Sequence, residues 1–281
     1  MGLGIAIQAD GSTDDELSGA SLVEVHERMG EPTTFRLRYP VLISGGDLPL
    51  LKDGRLDPGK ELAVVRPLDG QNHYLVRGPI HGQQIHLEHG GADSWVDVIG
   101  ADKSIEMDRE VRAEVWADVS AADAVRSITA RYALTPDVEE TPARHLVQRH
   151  TLVQRDTDLR FVRRLARRYG FLFWVDADSS GAPTAHFRRP QLDGAAQVEL
   201  SINLDEPSVT ELDISWDVER PTSAVGVQMD LNNKGDIEGA VASVPLTPLG
   251  ALGLADITGD TRTVQIIAPV DDAGDLKGRS E

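Results

Sequence analysis

Cysteine is absent from the 281-residue sequence, which excludes disulfides, thiolate metal sites and cysteine nucleophiles together. Positive charge is scarce: 28 Lys and Arg stand against 46 Asp and Glu, a formal net charge of −18. So acidic a balance disfavours nonspecific binding to nucleic acid, which needs basic side chains to displace counterions, and it favours solubility. A salt-adapted source would give the same balance. Lysine is the rarer cation, 5 against 23 Arg, as in proteins of GC-rich genomes. Aromatics make up 5% of the chain. No apolar run approaches the ~18 residues of a membrane helix. The opening MGLGIAIQADGSTDDELSG has no basic stretch before its apolar residues, so it does not read as a secretory signal. Synthesis in the cytoplasm, with no membrane insertion, is the expectation.

Against this scarcity, one segment stands out. From Arg144 to Arg189 there are ten Arg, no Lys and four acids, a local net of +6 that leaves −24 for the remainder. Its centre, Arg155 to Val175, reads as an acidic helix start, one amphipathic helix, a Gly stop and an aromatic strand. Asp156 or Thr157 caps the helix, and Asp158 sits favourably against its N-terminal dipole. Leu159, Val162, Leu165, Ala166 and Tyr169 line one stripe, with Phe161 beside it. Arg160, Arg163, Arg164, Arg167 and Arg168 occupy the other faces. Gly170 is the C-terminal stop. A solvated helix face is the usual explanation of such a run. Five arginines in nine residues repel one another, however, and an acidic partner surface would relieve them.

The rest of the pattern is β–α–β. Phe35, Leu37 and Tyr39 alternate with Arg36 and Arg38. Glu61 to Arg66 follows the turn Asp57-Pro58-Gly59, and Asp69-Gly70 marks a hairpin before His73 to Val76. Trp95 to Ile99 is a strand ended by Gly100. Val111, Ala113, Val115, Ala117 and Val119 share one face of another. At Ser120, a good N-cap, the period switches from 2 to 3.6, and Ala121, Val125, Ile128 and Tyr132 share a helical face that closes at Thr135-Pro136. Thr184 to Phe187 could pair back on the aromatic strand. Later, Leu212, Ile214, Trp216 and Val218 alternate with polar residues, the clearest strand pattern in the chain. Val225, Val227 and Met229 alternate before the turn at Asn232 to Gly235, and a last strand lies near Val264 to Ile267.

No catalytic, cofactor or metal site is predicted. Histidines gather at His73, His81, His86 and His89, but no acidic residue at a helical spacing completes a metal triad, and surface or strand-pairing roles are favoured. The acidic runs Asp14 to Glu16, Glu139-Glu140 and Asp271-Asp272 lack the spacing of a calcium loop. There is no G-x-S-x-G elbow, P-loop or nucleotide-binding glycine fingerprint. Trp95, Trp116, Trp174, Trp216, Phe171 and Phe173 could form a ligand platform, but their strand settings favour core packing.

Two motifs carry a family resemblance. Asp102, Lys103, Ser104, Ile105, Met107 and Arg109 fit a strand-like D-[RK]-S segment. Gln154, Thr157, Asp158, Leu159, Phe161, Val162, Leu165, Ala166, Gly170 and Phe171 fit Q-x-x-[ST]-D followed by a helix, a Gly and an aromatic. In this order, over about residues 20 to 230, the chain resembles the late-control-D family of baseplate hub proteins. These occur in contractile phage tails, in phage-derived extracellular injection particles and in the N-terminal part of VgrG-type spikes. The resemblance implies a β-rich α+β fold with two tail-tube-like β-barrel domains and an intervening small α/β insertion. The expected divisions are 1–119 for the first barrel, 120–199 for the insertion, and 200–281 for an incomplete second barrel. It implies a structural homotrimer, pseudo-sixfold, that adapts the tail tube to the spike, without enzymatic activity or cofactor. Expected partners are further copies of itself, the inner tube protein, the spike protein and baseplate wedge proteins, with no specific nucleic acid. The five helix arginines are the candidate protein interface. The alternatives are the N-terminal module of a type VI VgrG-type spike and a tail-associated peptidoglycan hydrolase.

Overall fold

A computed structural model describes residues 4–41, 49–52, 54–68, 70–91, 93–149, 151–192, 194–195, 198–202, 208–215, 217–230, 234–241, 250–267, 270 and 273–280. Its first part is a seven-stranded antiparallel sheet. The strands are β1 (Ala6–Ala9), β2 (Ser12–Thr13), β3 (Leu22–His26), β4 (Thr34–Pro40), β5 (Glu61–Leu68), β6 (Gln71–His86) and β7 (Trp95–Ala101). Their order is β2-β1-β5-β6-β7-β4-β3. Gly59 and Gly70 take the positive φ that their turns require, +89° and +76°. The long strand β6 pairs with β5 through residues 71–79 and with β7 through residues 80–86, with an irregularity between Ile80 and Gly82. One strand thus serves both halves of the sheet, and the bulge redirects it between them. Among the described residues β2 and β3 each have one strand neighbour, so the barrel closure expected here is not formed.

The alternation of β4 does what the sequence predicts. Phe35, Leu37 and Tyr39 enter a core with Ile7, Leu17, Leu62, Val64, Val96 and Val98. Arg36 and Arg38 point to the opposite face and grip the fully buried Asp97. Arg38 Nε donates to Oδ1 at 2.7 Å and Arg36 Nε to Oδ2 at 2.7 Å. Burial alone would raise the Asp97 pKa, but the hydrogen bonds from Arg38 and Arg36 outweigh it and hold the carboxylate below its ordinary value. Gly100 does not end β7. It lies within the strand because the Phe35 ring occupies the space a side chain there would need.

The second part is built from β8 (Val111–Trp116), β9 (Val119–Ser120), α1 (Ala121–Arg131), β10 (Thr135–Val138), β11 (Arg144–His145), β12 (Leu152–Thr157), α2 (Asp158–Arg168), β13 (Leu172–Ala177) and β14 (Pro183–Arg188). Strands β10, β14 and β13 form one sheet in that order, β8 and β12 an antiparallel ribbon, and β9 and β11 a short pair. Ser120 caps α1 with a reciprocal capping box to Asp123. The helix ends earlier than the proline suggested, at Arg131, because Ala133 adopts φ +51° and turns the chain into β10. Thr157 caps α2, its Oγ1 accepting from Arg160 N at 3.3 Å, and Gly170 follows at φ +64°. Val125, Ile128, Leu159, Phe161, Val162, Leu165, Phe171, Phe173 and Phe187 form a second core.

Two expectations fail in this part. Asp102–Glu110 is not strand-like: Lys103–Asp108 is a 3-10 helix. Asp102 caps it by accepting from Ser104 N at 2.8 Å, and Met107 is buried against the second core. The apolar face of β8 also points outward. Val111 is 74% exposed and Val115 61% exposed, whereas Trp116, one residue out of phase, is buried. The indole stacks near Phe161, and its Nε1 donates to Gln154 Oε1 at 3.3 Å. Strand side chains alternate, so one register decides the whole face. Burying a large indole outweighs burying small residues on the other side.

The third part holds β15 (Ser223–Asp230), β16 (Gly235–Val241), α3 (Leu254–Thr258), β17 (Thr263–Gln265) and α4 (Ala273–Ser280). The sheet order is β16-β15-β17. The Leu212 to Val218 alternation does not form a strand: Leu212 and Ile214 are exposed outside any strand, Val218 is exposed in a turn, and no described strand pairs with them. A strand needs a ladder partner for its backbone groups. Trp216, Asn232, Asn233 and the Asp271-Asp272 run lie outside the described residues. In β15, Val227 and Met229 face outward while Ala224 and Gly226 face inward. The reason is α4, whose Leu276 is seated over Gly226 and Gly239; a Cβ on either glycine would stand 2.5 or 2.7 Å from it.

Candidate interaction surface

The five helix arginines do not act alike. Arg168 turns inward and pairs with the fully buried Asp275 of α4 at 2.9 Å. Arg279 donates to the same carboxylate at 2.6 Å, and Tyr169 OH donates to it at 3.0 Å. Arg163 donates to the Gly30 carbonyl in the loop between β3 and β4. Burial there lowers its pKa, and the repulsion of Arg167 adds to the fall. Arg160 lies 3.4 Å from Asp108, and Arg164 lies 3.7 Å from Asp156 while covering the Phe161 ring. Arg167 stays exposed, its Nε donating to the Arg163 carbonyl at 3.4 Å. Asp108 and Asp275, remote in sequence, therefore relieve much of the repulsion that the helix alone would suffer. Arg160, Arg164 and Arg167 keep an outward face; Arg163 and Arg168 fasten the helix to other parts of the chain.

The motif residues have separate work. Asp158, fully buried at the first turn of α2, accepts two hydrogen bonds and pairs with two arginines. Gln154 Nε2 donates to Oδ1 at 2.6 Å and Tyr132 OH to Oδ2 at 2.8 Å. Arg112 and Arg131 approach Oδ2 at 3.3 and 3.6 Å. Burial raises the Tyr132 pKa, and its hydrogen bond to Asp158 raises it further. The carboxylate of Asp158 pushes the Arg112 pKa up. This network joins α1, α2, β8 and β12 from the inner side of the ribbon, so Gln154, Thr157 and Asp158 are architectural residues.

His73, His81 and His89 are exposed. His86 stacks on Trp95 and lies 3.2 Å from Glu88. Among the described residues no three His, Asp or Glu side chains converge as metal ligands. His186, which the sequence reading did not single out, is held between Asp137 at 2.7 Å and Asp176 at 2.9 Å. It stacks on Trp174 with ring centroids 4.6 Å apart. Residues from three adjacent strands meet there, a juxtaposition that no local spacing reveals. Trp116, Phe171 and Phe173 are buried in the second core, as their strand settings imply.

Apolar side chains are exposed on the outer side of the β8–β12 ribbon, Val111, Val115 and Val153, on β15, Val227 and Met229, and just after β17 at Ile267. Among the described residues no helix is long and apolar enough to cross a membrane. The family model of the Alg8 N-terminal domain matches residues 42–228. The chain belongs to this family. The matched span takes in β5 to β7 of the first sheet, the whole second part and the start of β15, so the second core and the arginine helix fall within it, while β1 to β4 precede it. No curated protein matches the sequence.

Several solved structures share the fold, three tail proteins among them. A tail protein from Neisseria meningitidis MC58 is 14% identical, with a TM-score of 0.59 over 98% of this chain and 74% of that one. The 43 kDa tail protein of prophage MuSo2 from Shewanella oneidensis is 15% identical, with a TM-score of 0.57 over 98% and 76%. Prophage tail protein gp18 from Listeria monocytogenes EGD-e is 14% identical, with a TM-score of 0.53 over 98% and 76%. The fold is that of phage tail proteins.

Proposed function

We propose that this chain is a structural baseplate hub of a contractile, phage tail-like injection particle, of the late-control-D kind. In this reading it forms a homotrimer whose pseudo-sixfold ring joins the tail tube to the spike, with baseplate wedge proteins around it. Its work is assembly, not catalysis. Residues 1–119 and 200–281 would supply the tube-like domains, completed into closed rings by neighbouring subunits or partners, and 120–199 the insertion between them. The observation that carries the reading is the likeness to tail proteins along 98% of the chain, joined to the two hub motifs. The apolar surface left open on β8, β12 and the third sheet agrees with it, because an assembling subunit must keep such surface for its neighbours.

The outward arginines Arg160, Arg164 and Arg167 would meet an acidic neighbour. Reversing all three to Glu leaves the internal contacts of Arg163 and Arg168 in place. Particle yield and morphology should then fall while the isolated subunit keeps its fold. Normal particles from the triple variant would remove the arginine face from the interface, though not the hub reading. Light scattering tests the latter first: the assembled species should have three times the 30.5 kDa of the chain. A strict monomer at every concentration would count against it.

A further inference from the structure

Two exposed β faces of this chain share an apolar character and differ in charge. The outer face of the β8–β12 ribbon carries Val111, Ala113, Val115, Val153 and Arg155, all exposed. Val153 stands opposite Val115, and Arg155 opposite Ala113. Arg155 has no ion-pair partner among the described residues. The other charged side chains of the ribbon are engaged on its inner side: Arg112 with Asp158, Glu114 with Arg131, and Asp156 with Arg164. The second face belongs to the third sheet. Leu276 of α4 covers the inner side at Gly226 and Gly239. On the outer side Val227 stands opposite Glu238, and Met229 opposite Asp236, all four exposed. Neither acid has an ion-pair partner among the described residues, and Lys234, in the turn ahead of β16, pairs with neither. Two residues apart on one strand face, the carboxylates stand about 7 Å from each other.

We infer that the ribbon of one copy of this chain packs face to face on the third sheet of a second copy, with Arg155 seated between Asp236 and Glu238. Within one chain both faces are exposed, so they do not cover each other. The six residues of β8 and the eight of β15 span about 20 Å and about 26 Å at the usual rise, so the footprints match in length. The ribbon valines meet Val227 and Met229, which takes apolar surface from water on both sides. A guanidinium between two carboxylates donates to both. Pairing of either face with its own copy is disfavoured, because it sets Arg155 against Arg155, or two acids against two acids. The contact is therefore between unlike faces. Such a contact, repeated from copy to copy, closes into a ring when the rotation allows. The inference rests on the reading that copies of this chain associate, and it names the surfaces through which they do so.

Because the chain has no cysteine, introduced thiols report alone. Val153→Cys and Val227→Cys are made as separate variants, and a bis-maleimide of about 10 Å span, the spacing of packed sheets, links thiols that come together. The mixture of the two variants should give cross-linked dimers that mass spectrometry shows to hold one chain of each kind. Either variant alone should give none. Adding Arg155→Glu to the Val153→Cys chain should lower the yield by roughly fivefold, the scale of one or two exposed charge pairs. Adding Asp236→Arg and Glu238→Arg to the Val227→Cys chain should then restore it. All the changed side chains are exposed, and circular dichroism confirms each fold. Dimers from one variant alone, no mixed dimers, or an Arg155→Glu loss that the reversed acids do not restore would each overturn the proposal. Light scattering of the unaltered chain separates this failure from that of the wider reading. Association without the mixed cross-link keeps the oligomer and removes this contact, whereas a monomer without the cross-link removes both.

Discussion

Removing the Asp158 carboxylate tests the account of the second core most sharply. In Asp158→Ala, Gln154 and Tyr132 lose their acceptor, and Arg112 and Arg131 lose a counter-ion, in one step. A hydrogen bond to a charged group contributes about 1.5–3 kcal/mol, and buried donors left unpaired add desolvation cost. The arginine side chains are 38% and 30% exposed, so their shares fall toward the ~0–1 kcal/mol of surface pairs. Members of one network do not add independently. The expected loss is about 3 kcal/mol, which lowers Tm by roughly 6–12 °C for a domain of this size. Urea denaturation followed by tryptophan fluorescence reads it, because Trp116 lies beside the network. Tyr132→Phe supplies a coupling test. It should destabilise the wild-type chain by about 1 kcal/mol and leave the Asp158→Ala chain unchanged. A stability for Asp158→Ala within ~0.5 kcal/mol of wild type would refute the reasoning.

Three further outcomes follow from other contacts. Hydrogen bonding to Asp176, then to Asp137, raises the His186 pKa against the opposing effect of burial. Its contribution is therefore complete below the unfolded value of about 6.5 and lost as pH rises through the raised folded value. Comparing wild type with His186→Ala should show a larger stability difference at pH 6 than at pH 9, and an unchanging difference would contradict this. Leu276→Ala removes the plug over Gly226 and Gly239 and should cost about 2–5 kcal/mol of local stability. Amide exchange should then accelerate in β15 and β16 while β4 and β7 stay protected, and Gly226→Ala should mimic it by displacing α4. Gly100→Ala would drive a methyl group into the Phe35 ring; a loss of about 2 kcal/mol is expected by thermal denaturation.

Local chemistry was legible in the sequence. Ser120 and Thr157 cap helices because their hydroxyls reach the next free amide groups, and Gly170 and Gly59 turn the chain because only glycine takes those φ values without strain. The alternation of Phe35, Leu37 and Tyr39 was equally plain. Patterns were misleading wherever two faces competed. Val111, Ala113 and Val115 alternate well, yet Trp116 on the other face holds the deeper site. Val227 and Met229 alternate too, but the inward register was fixed by Leu276, about fifty residues away. The contacts of Arg163 with Gly30 and of Arg168 with Asp275 lie beyond any local window, and so does the meeting of Asp137, Asp176 and His186. The two sequence motifs pointed to the fold of phage tail proteins, which the solved tail proteins share.

Reconstruction of the assembled particle by electron microscopy tests the hub reading most directly. The account expects three copies of this chain in a ring at the junction of tube and spike, with the outer side of the β8–β12 ribbon and the third sheet covered by neighbours. A particle that places the chain elsewhere, or in a number other than three, would contradict it.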